Sequence, residues 1–544
     1  ALVQVPLGEA YLLQQKFEAL LDDIEPLGRA KQVDAQIEIL RGHAFFGLRE
    51  LTAAETSFRN AMRLSQRPVK ALLGLARVFA QRDKAEEALG YANQALELAP
   101  NDAEAWLVSG EVHRRAGQTD KALAEVSRAL ALDPELEEAR LRRALVLVDS
   151  AEHASALPDL EWLLAKYPGQ PLPSYVLGLV QKALGNVQAA EDAFSAAARG
   201  LEKLTPEGKR ANPEHVLLHG LIDVERKNQE SARRYLERYL KRDHYNPQAR
   251  RALGQLLLES GKGFEAIAVL EPLVDLYPEG VNGLVLLAAA YFETQNYERA
   301  IRHYRRAVKQ APRRMAIELE LARSLYSAGD IGGASARLEF IYGRRDSPAG
   351  VGVLLAKVKL AQGAYVEARG VAEQLLMSDE NVAEYHYLNG QALLGGGKRK
   401  PAIESFRRAT ILDPTFVLPY LRLGEIYIDG GEWVSAAAAF RSALSLDVAS
   451  LPAHIGLSRL AEASDATEEA LAHLEKGLSH LGARDRRRVG VARRFLALRA
   501  PARALDAIEG LRRLSPDALE LLEIVARAET LLGRTKDAVV TYGR

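Results

Sequence analysis

The sequence predicts an all-α protein, a solenoid of about sixteen helical hairpins, because one 34-residue pattern recurs along the whole chain. Steps of 34 residues from Ala122, with one eight-residue slip, reach sixteen equivalent positions, and fifteen of them are alanine; the exception is Leu20. A second column, twelve residues earlier in each copy, contains only Gly, Ala or Ser. Composition alone does not produce two such columns.

Residues 103–136 are the clearest copy of the unit. Trp106, Gly110 and His113 fall on one face of a predicted first helix, and Ala122, Val126 and Ala129 fall on one face of a predicted second helix. Gly117 supplies the turn between the two helices, and Pro134 follows where the second helix must stop. We expect the small residue of the first helix to meet the column alanine of the second, since close helix crossings leave little room for side chains.

A third column, four residues after the alanine, is bulky and is predicted to fill the seam between neighbouring hairpins. Its members include Phe58, Leu160, Phe194, Leu236, Leu270, Tyr304, Phe406, Phe440 and Tyr542. One hairpin cannot bury its own apolar face, so stacking of neighbours should supply the core.

The copies begin at residues 1, 35, 69, 103, 137 and 171, and then at 213, 247, 281, 315, 349, 383, 417, 451, 485 and 519. The polar insertion Thr205–Asn212 divides a six-repeat array, residues 1–204, from a ten-repeat array, residues 213–544, as a hinge or as an ordinary longer loop. Copies from 451 onward are less regular, and Gly477 stands where alanine is usual. The chain lacks an initial Met and stops within a predicted second helix, so we expect it to be trimmed at both ends.

The pattern resembles the tetratricopeptide repeat (TPR): small residues at repeat positions 8 and 20, a large one at 24, Ala at 27 and Pro at 32, with Trp106 at position 4. This resemblance implies a right-handed superhelix whose first helices line a concave groove. It also implies a protein–protein interaction scaffold without enzymatic activity. Two functional subfamilies do not fit. The Lys and Asn that clamp a peptide carboxylate are absent from positions 5 and 9, and the asparagine ladder of glycosyltransferase arms is absent from position 6.

Composition excludes several function classes. Lys+Arg and Asp+Glu are balanced at 72 each, which gives no global field for nucleic acid or an anionic membrane. Cysteine is absent, and no apolar run approaches the length of a membrane span. Catalytic, cofactor and metal motifs are not found, so no catalytic residue and no cofactor are predicted. The run Gly395–Lys398 is interpreted as a turn, and His215 and His219, four residues apart, as packing residues rather than metal ligands.

A looser resemblance is to the long TPR protein of bacterial exosortase (PEP-CTERM) exopolysaccharide systems, carried by residues 7–24 (LGEAYLLQQKFEALLDDI), 235–243 and 269–278. It implies a scaffold for exopolysaccharide synthesis and export or envelope assembly, located in the periplasm and lipid-anchored in the full-length protein; a cytoplasmic location is the alternative. Two other functions stay open: a general TPR adaptor for a protein segment in pilus or secretion assembly, and the substrate-recognition arm of an enzyme whose catalytic domain lies beyond Arg544.

Candidate binding residues are those that the first helices should present to the groove, where aromatic and polar groups together suit a peptide, a helix, a globular partner or a sugar chain. They are Arg77, Glu111, Arg114, Tyr175, Phe292, Arg323, Tyr326, Lys357, Tyr387, Gln391, Glu425, Arg459 and Arg493.

An arginine-rich stretch near the C-terminal end is the second candidate. It comprises Arg484, Arg486, Arg487, Arg488, Arg493, Arg494, Arg499 and Arg503. Such a cluster is either a solvated face or a docking site for an anionic protein or polysaccharide. Nucleic acid is not predicted as a partner, because aromatic stacking residues are not interleaved with the arginines.

Overall fold

A computed structural model describes residues 3–14, 16–26, 28, 31–82, 84–203, 214–344, 347–348 and 350–543. In these residues the chain forms thirty-two α-helices and no strand, which confirms the predicted all-α solenoid of helical hairpins. The chain divides into two compact units, unit 1 at Ala1–Thr294 and unit 2 at Gln295–Arg544.

Unit 1 contains the first seventeen helices, which alternate as first and second helices of successive hairpins. They are α1 Gln4–Leu13, α2 Phe17–Asp23, α3 Lys31–Gly47, α4 Leu51–Leu64, α5 Val69–Gln81, α6 Ala85–Leu98, α7 Ala103–Arg115, α8 Thr119–Leu132, α9 Glu137–Asp149, α10 His153–Lys166, α11 Pro171–Ala183, α12 Val187–Glu202, α13 Glu214–Glu225, α14 Gln229–Leu240, α15 Pro247–Glu259, α16 Gly263–Leu276 and α17 Val281–Glu293.

Unit 2 begins with a second helix and continues with seven hairpins. Its helices are α18 Tyr297–Gln310, α19 Met315–Ser327, α20 Ile331–Ile341, α21 Val351–Ala361, α22 Tyr365–Ser378, α23 Ala383–Gly395, α24 Arg399–Leu412, α25 Val417–Asp429, α26 Trp433–Leu446, α27 Leu451–Ala463, α28 Thr467–Ser479, α29 Arg488–Ala497, α30 Pro501–Arg512, α31 Leu519–Leu531 and α32 Thr535–Tyr542.

The hairpin α7–α8 has the boundaries that its sequence predicts. The Asp102 carboxylate accepts a hydrogen bond from the Glu104 backbone N–H and caps α7. Gly117 has a φ of +72°, the left-handed conformation that glycine adopts at little cost, and so turns the chain into α8. Helix α8 ends at Leu132, two residues before Pro134.

At the helix crossings the bulky column residue fills the space beside the small residue of the first helix. In α7–α8 the column alanine lies there too, as predicted: a Cβ on Gly110 would lie 2.6 Å from the Val126 side chain and 3.2 Å from the Ala122 carbonyl oxygen. A Cβ on Gly42 would lie 2.6 Å from the Phe58 ring, and a Cβ on Gly74 in the next hairpin would lie 2.4 Å from the same ring. The Phe58 ring therefore fills the helix crossing within its own hairpin and also the predicted seam between that hairpin and the next hairpin. In these copies a large ring needs the space that glycine leaves on both sides.

First helices of successive hairpins also contact one another, as α5 contacts α7 in unit 1 and α21 contacts α23 in unit 2. Each unit therefore presents a surface made of adjacent first helices. The insertion Thr205–Asn212 lies outside the described residues, so the predicted division of the chain at that point stays a prediction.

Candidate protein-binding surfaces on the first helices

In unit 1 the predicted residue Arg77 is the centre of a network of charged side chains on α5, α7 and α9. Its guanidinium lies 3.2 Å from Glu104, 3.7 Å from Glu111 and 4.0 Å from Glu138. The Arg77 side chain is only 18% exposed. Burial acts to lower the pKa of Arg77, but the carboxylates of Glu111, Glu138 and Glu104 outweigh it and raise the pKa.

Arg142 and Glu138 belong to this network although the sequence-based prediction omitted both. Arg142 lies 2.6 Å from Glu111 and 3.2 Å from Glu138. The sequence spacing could have predicted their place in the network, because repeat positions 2, 6 and 9 lie on one face of a first helix. Nearby, the predicted residue Arg114 pairs with Asp149 at 2.8 Å. The polar surface of these first helices is therefore largely neutralised by contacts within the chain.

Tyr175 is a packing residue, which corrects its predicted place on the open groove. It is 8% exposed, and its ring centroid lies 5.9 Å from that of Phe194. Burial, aided by the charge of Glu225, raises the pKa of its hydroxyl. Phe292, on α17, is half-buried.

Tyr387 in unit 2 is likewise a packing residue, again in contrast to the predicted groove position. It is 8% exposed, and its ring packs against Phe406 and Phe416 with centroid distances of 5.8 and 5.1 Å. Its hydroxyl oxygen accepts a hydrogen bond from the amide of Gln391 at 3.0 Å. Contacts therefore hold Tyr387 at both its ring and its hydroxyl.

The other predicted groove residues of unit 2 form a column of half-exposed charges at repeat position 9. The side-chain exposures are 50% for Arg323, 41% for Lys357, 45% for Glu425, 43% for Arg459 and 52% for Arg493. Each has an oppositely charged group within 4 Å, the shortest being the 2.7 Å contacts from Lys357 to Glu384 and from Glu425 to Arg422. The predicted residue Tyr326, on α19, is half-buried.

Arg527, 61% exposed, continues this column and was missed because the last copies are the least regular. Five of the seven position-9 residues of the complete first helices in unit 2 are therefore basic. They are Arg323, Lys357, Arg459, Arg493 and Arg527, with Gln391 and Glu425 as the exceptions. Near its end the column borders a cavity of about 430 Å³, lined by Arg493, Arg527 and Glu523 and by the apolar groups of Leu496, Ile524 and Leu531.

The C-terminal arginine cluster is divided between side chains with contacts inside the chain and side chains exposed to solvent. Arg488 donates hydrogen bonds to the backbone carbonyls of Leu481, Gly482 and Ala507. Four more arginines contact acids: Arg487 with Asp485, Arg493 with Glu523, Arg494 with Glu462, and Arg503 with Glu475.

Three arginines of the cluster are exposed and have no acid within 4 Å in the described part of the chain: Arg484, Arg486 and Arg499. Arg484 and Arg486 precede α29, whereas Arg499 follows it.

The motifs interpreted as structural have ordinary surroundings. Gly395 ends α23 and Gly397 adopts a φ of +76° in the following turn. His219 stacks on Tyr235 at 4.0 Å and lies 3.4 Å from Asp223. Within the described ranges, no group of three His, Asp or Glu side chains is arranged to hold a metal ion. None of the helices described has the length and apolar character needed to cross a bilayer.

Comparison with known families agrees with this architecture. The family model for the tetratricopeptide repeat matches residues 39–103, 83–137, 141–205, 217–281, 253–314, 285–336 and 387–452. These matches cover more than half of the chain.

Two curated proteins are similar over part of their length. The chain is 30% identical over 194 residues to anaphase-promoting complex subunit 3 of Schizosaccharomyces pombe, an alignment that covers 35% of this chain and 29% of that protein. It is 23% identical over 375 residues to the CTR9 homolog of Arabidopsis thaliana, covering 67% of this chain and 31% of that protein. The alignments thus span less than a third of either relative.

Among solved structures, the APC/C hetero-tetramer Cut9–Hcn1 is similar at 15% identity with a TM-score of 0.41, over 96% of this chain and 95% of that chain.

Proposed function

Because the chain belongs to the tetratricopeptide-repeat family, we propose that it is a non-catalytic scaffold that holds a partner protein against the first helices of unit 2. The partner segment is acidic. The observation that carries this proposal is the position-9 column, in which five of seven residues are basic and half-exposed.

An incoming carboxylate can compete for these cations because their present partners hold them weakly. Exposed ion pairs contribute about 0–1 kcal/mol, and the contacts of Arg459 and Arg493 with their acids are 3.9 and 3.8 Å long. In unit 1, by contrast, three carboxylates already surround the largely buried Arg77. This difference in how firmly the cations are paired favours the first helices of unit 2 as the binding site for an acidic segment.

The apolar groups beside the column indicate what else the segment carries. Leu496, Ile524 and Leu531 line the cavity next to Arg493 and Arg527. A segment in which acidic residues alternate with Leu or Phe would place carboxylates on the cations and apolar side chains in the cavity. In peptide-binding grooves, polar groups usually provide specificity and apolar pockets affinity.

A fluorescein-labelled extended peptide of alternating acidic and Leu or Phe residues tests this proposal by fluorescence anisotropy. The triple variant Lys357→Glu, Arg459→Glu, Arg493→Glu should bind about tenfold or more weakly, since three favourable charges become repulsive. The control is Arg484→Glu, Arg486→Glu, Arg499→Glu, which changes the net charge equally but lies off the column. Equal loss in both variants, or binding of a lysine-substituted peptide as tight as that of the acidic one, would contradict the proposal.

For the assembly we propose exopolysaccharide synthesis and export or envelope construction, with the array in the periplasm. Support for this context comes from the resemblance of residues 7–24, 235–243 and 269–278 to exosortase-associated proteins and from the absence of cysteine. The relative in S. pombe is, by its name, a subunit of a larger complex, which supports a scaffold role more generally. Fractionation of the native host and affinity purification of the full-length protein test the context, and recovery from the cytosol with only cytosolic partners would exclude it.

A further inference from the structure

Helix α18 has a basic outer face that differs from the equivalent face of the other second helices of unit 2. Its inner face packs through Ala300, Ile301, Tyr304 and Ala307, all of which are buried. Arg302, Arg305 and Lys309 are exposed on the other side, at spacings of three and four residues that place them in one row. Arg313, also exposed, follows the end of the helix. The row from 302 to 309 is about 10 Å long at 1.5 Å per residue.

We call Arg302, Arg305 and Lys309 the α18 basic row. Neither these three side chains nor Arg313 has a carboxylate within salt-bridge distance among the residues that the structure describes. On the second helix α14, by comparison, Arg233 contacts both Glu237 and Glu265 at 2.7 Å. Helix α18 itself contains a single acid, Glu298. The charges in the row are about 5–6 Å apart along the helix, inside the ~8 Å screening length at physiological salt, so their potentials add.

Packing does not require this charge. At the repeat position of Arg302, the following second helices carry Ala336, Gly370, Glu404, Ala438, Ala472, Asp506 and Val540. A residue that stabilised the hairpin fold would be similar in successive copies, as the column alanine is. Among the second helices of unit 2 the basic row is therefore specific to α18, which indicates recognition rather than folding; in and directly after α14 in unit 1, Arg234 and Lys241 occupy the positions equivalent to Arg302 and Lys309.

We propose that the α18 basic row is a docking surface for an acidic helical segment of a partner protein. Carboxylates three, four and seven residues apart on one face of a helix have the same spacing as the row, so two helices lying side by side can form several ion pairs at once. Arginine suits this role because its guanidinium can bind a carboxylate through two parallel hydrogen bonds. A flexible polyanion has no fixed spacing of charges to match that of the row.

The surface lies on a second helix, so it is separate from the first-helix column and does not depend on the function proposed above. With both surfaces, unit 2 would contact one acidic segment through its first helices and another through α18. Such a protein would join two partners rather than bind one.

The test uses two fluorescein-labelled helical peptides of equal composition in anisotropy titrations against the full chain at low and physiological salt. One peptide has glutamates at i, i+3 or i+4, and i+7 on one face; the other has the same glutamates distributed around the helix. The row variant is Arg302→Glu, Arg305→Glu, Lys309→Glu, and the matched control is Arg484→Glu, Arg486→Glu, Arg499→Glu. Far-UV circular dichroism should show that both variants remain folded, since neither changes a buried residue.

We expect the wild type to bind the one-faced peptide more tightly than the scrambled one. The row variant should lose about tenfold in affinity while the control stays within about twofold, as three exposed ion pairs of ordinary strength predict. The column variant Lys357→Glu, Arg459→Glu, Arg493→Glu should bind the one-faced peptide as tightly as the wild type does. This result would show that the α18 site and the first-helix site are separate, so that either proposal can fail without the other. Equal affinity for the two peptides, equal loss in the row and control variants, or tighter binding of heparin with the same row dependence would overturn the proposal.

Discussion

Ala300 illustrates how tightly a single residue is constrained by a repeat. It belongs to the alanine column and has no exposed surface on α18. Replacement by phenylalanine should strain the surrounding packing and cost about 1–3 kcal/mol, as added volume in close-packed cores does. Hydrogen exchange followed by mass spectrometry should detect faster exchange in α18 and α19, because repeat stability is a sum of local terms.

The matched control is Ala438→Phe, which makes the same change at an exposed position of α26. It should leave exchange in its own hairpin nearly unchanged. If Ala300→Phe exchanged like the wild type, the position of Ala300 in the buried column would be wrong.

At the scale of the element, the sequence was sufficient for the hairpins because their signals are local and repeated. Glycine and alanine at positions 8 and 20, proline at the ends and glycine in the turns predict where each helix begins and ends. A binding surface depends on contacts between side chains of different copies, and the 34-residue spacing does not predict those contacts. Tyr175 was therefore predicted on the groove but packs on Phe194, and Arg142 was omitted although it lies 2.6 Å from Glu111.

The irregular hairpin α27–α28 has a physical reason for its departure from the pattern. His454 is buried on α27 and contacts α28 where Gly477 replaces the usual alanine; a Cβ there would lie 3.1 Å from the His454 Cβ. The rings of His473 and His480 lie 6.0 and 6.4 Å from that of His454. The His454 Nε2 atom is 3.2 Å from the Val448 carbonyl oxygen, which leaves Nδ1 without a hydrogen-bond partner in the described residues.

This hairpin should lose stability in mild acid. Burial is the largest cause in both cases and lowers the pKa of His454 and of His473. For His454, the charges of His480 and Lys476 also lower the pKa, whereas the hydrogen bond to the Val448 carbonyl and the charge of Asp447 raise it. For His473, the charges of His454, Lys476 and Arg441 lower the pKa and that of Glu469 raises it. In the unfolded state both imidazoles titrate near pH 6.5. Below that pH the unfolded state binds more protons, so the free energy of unfolding falls as the pH drops toward the folded pKa values.

Hydrogen exchange in residues 451–479 at pH 7.5 and pH 5.5, corrected for intrinsic exchange rates, measures this effect. His454→Phe keeps an uncharged ring and should reduce the pH dependence, whereas His244→Phe, at an exposed site in unit 1, should not change it. The same acid sensitivity in wild type and His454→Phe would show that protonation of this cluster does not control the hairpin.

At the scale of a whole unit, one contact joins hairpins that are far apart in sequence. Arg49 lies in the turn after α3 with a φ of +63°. Its guanidinium contacts Glu214 at the start of α13, and it lies 2.9 Å from Asp243 and 3.4 Å from the Tyr239 hydroxyl, near the end of α14. Asn246 donates hydrogen bonds to both Tyr239 and Asp243. No repeat column could predict this link, because Arg49 is an ordinary turn residue and its partners are 165 to 194 residues away.

We expect this link to hold the second and seventh hairpins of unit 1 together in a salt-dependent way. Its side chains are 24–46% exposed, so each ion pair should contribute no more than about 1 kcal/mol. Arg49→Glu places a third carboxylate beside Glu214 and Asp243 and should therefore speed hydrogen exchange in residues 214–225 and 239–246. Arg63→Glu, an exposed charge reversal on the neighbouring helix α4, is the control. In the wild type, 0.5 M salt should reproduce part of the Arg49→Glu effect because exposed pairs are screened. Identical exchange in Arg49→Glu and Arg63→Glu would mean that the pairing of Arg49 does not hold the two hairpins together in solution.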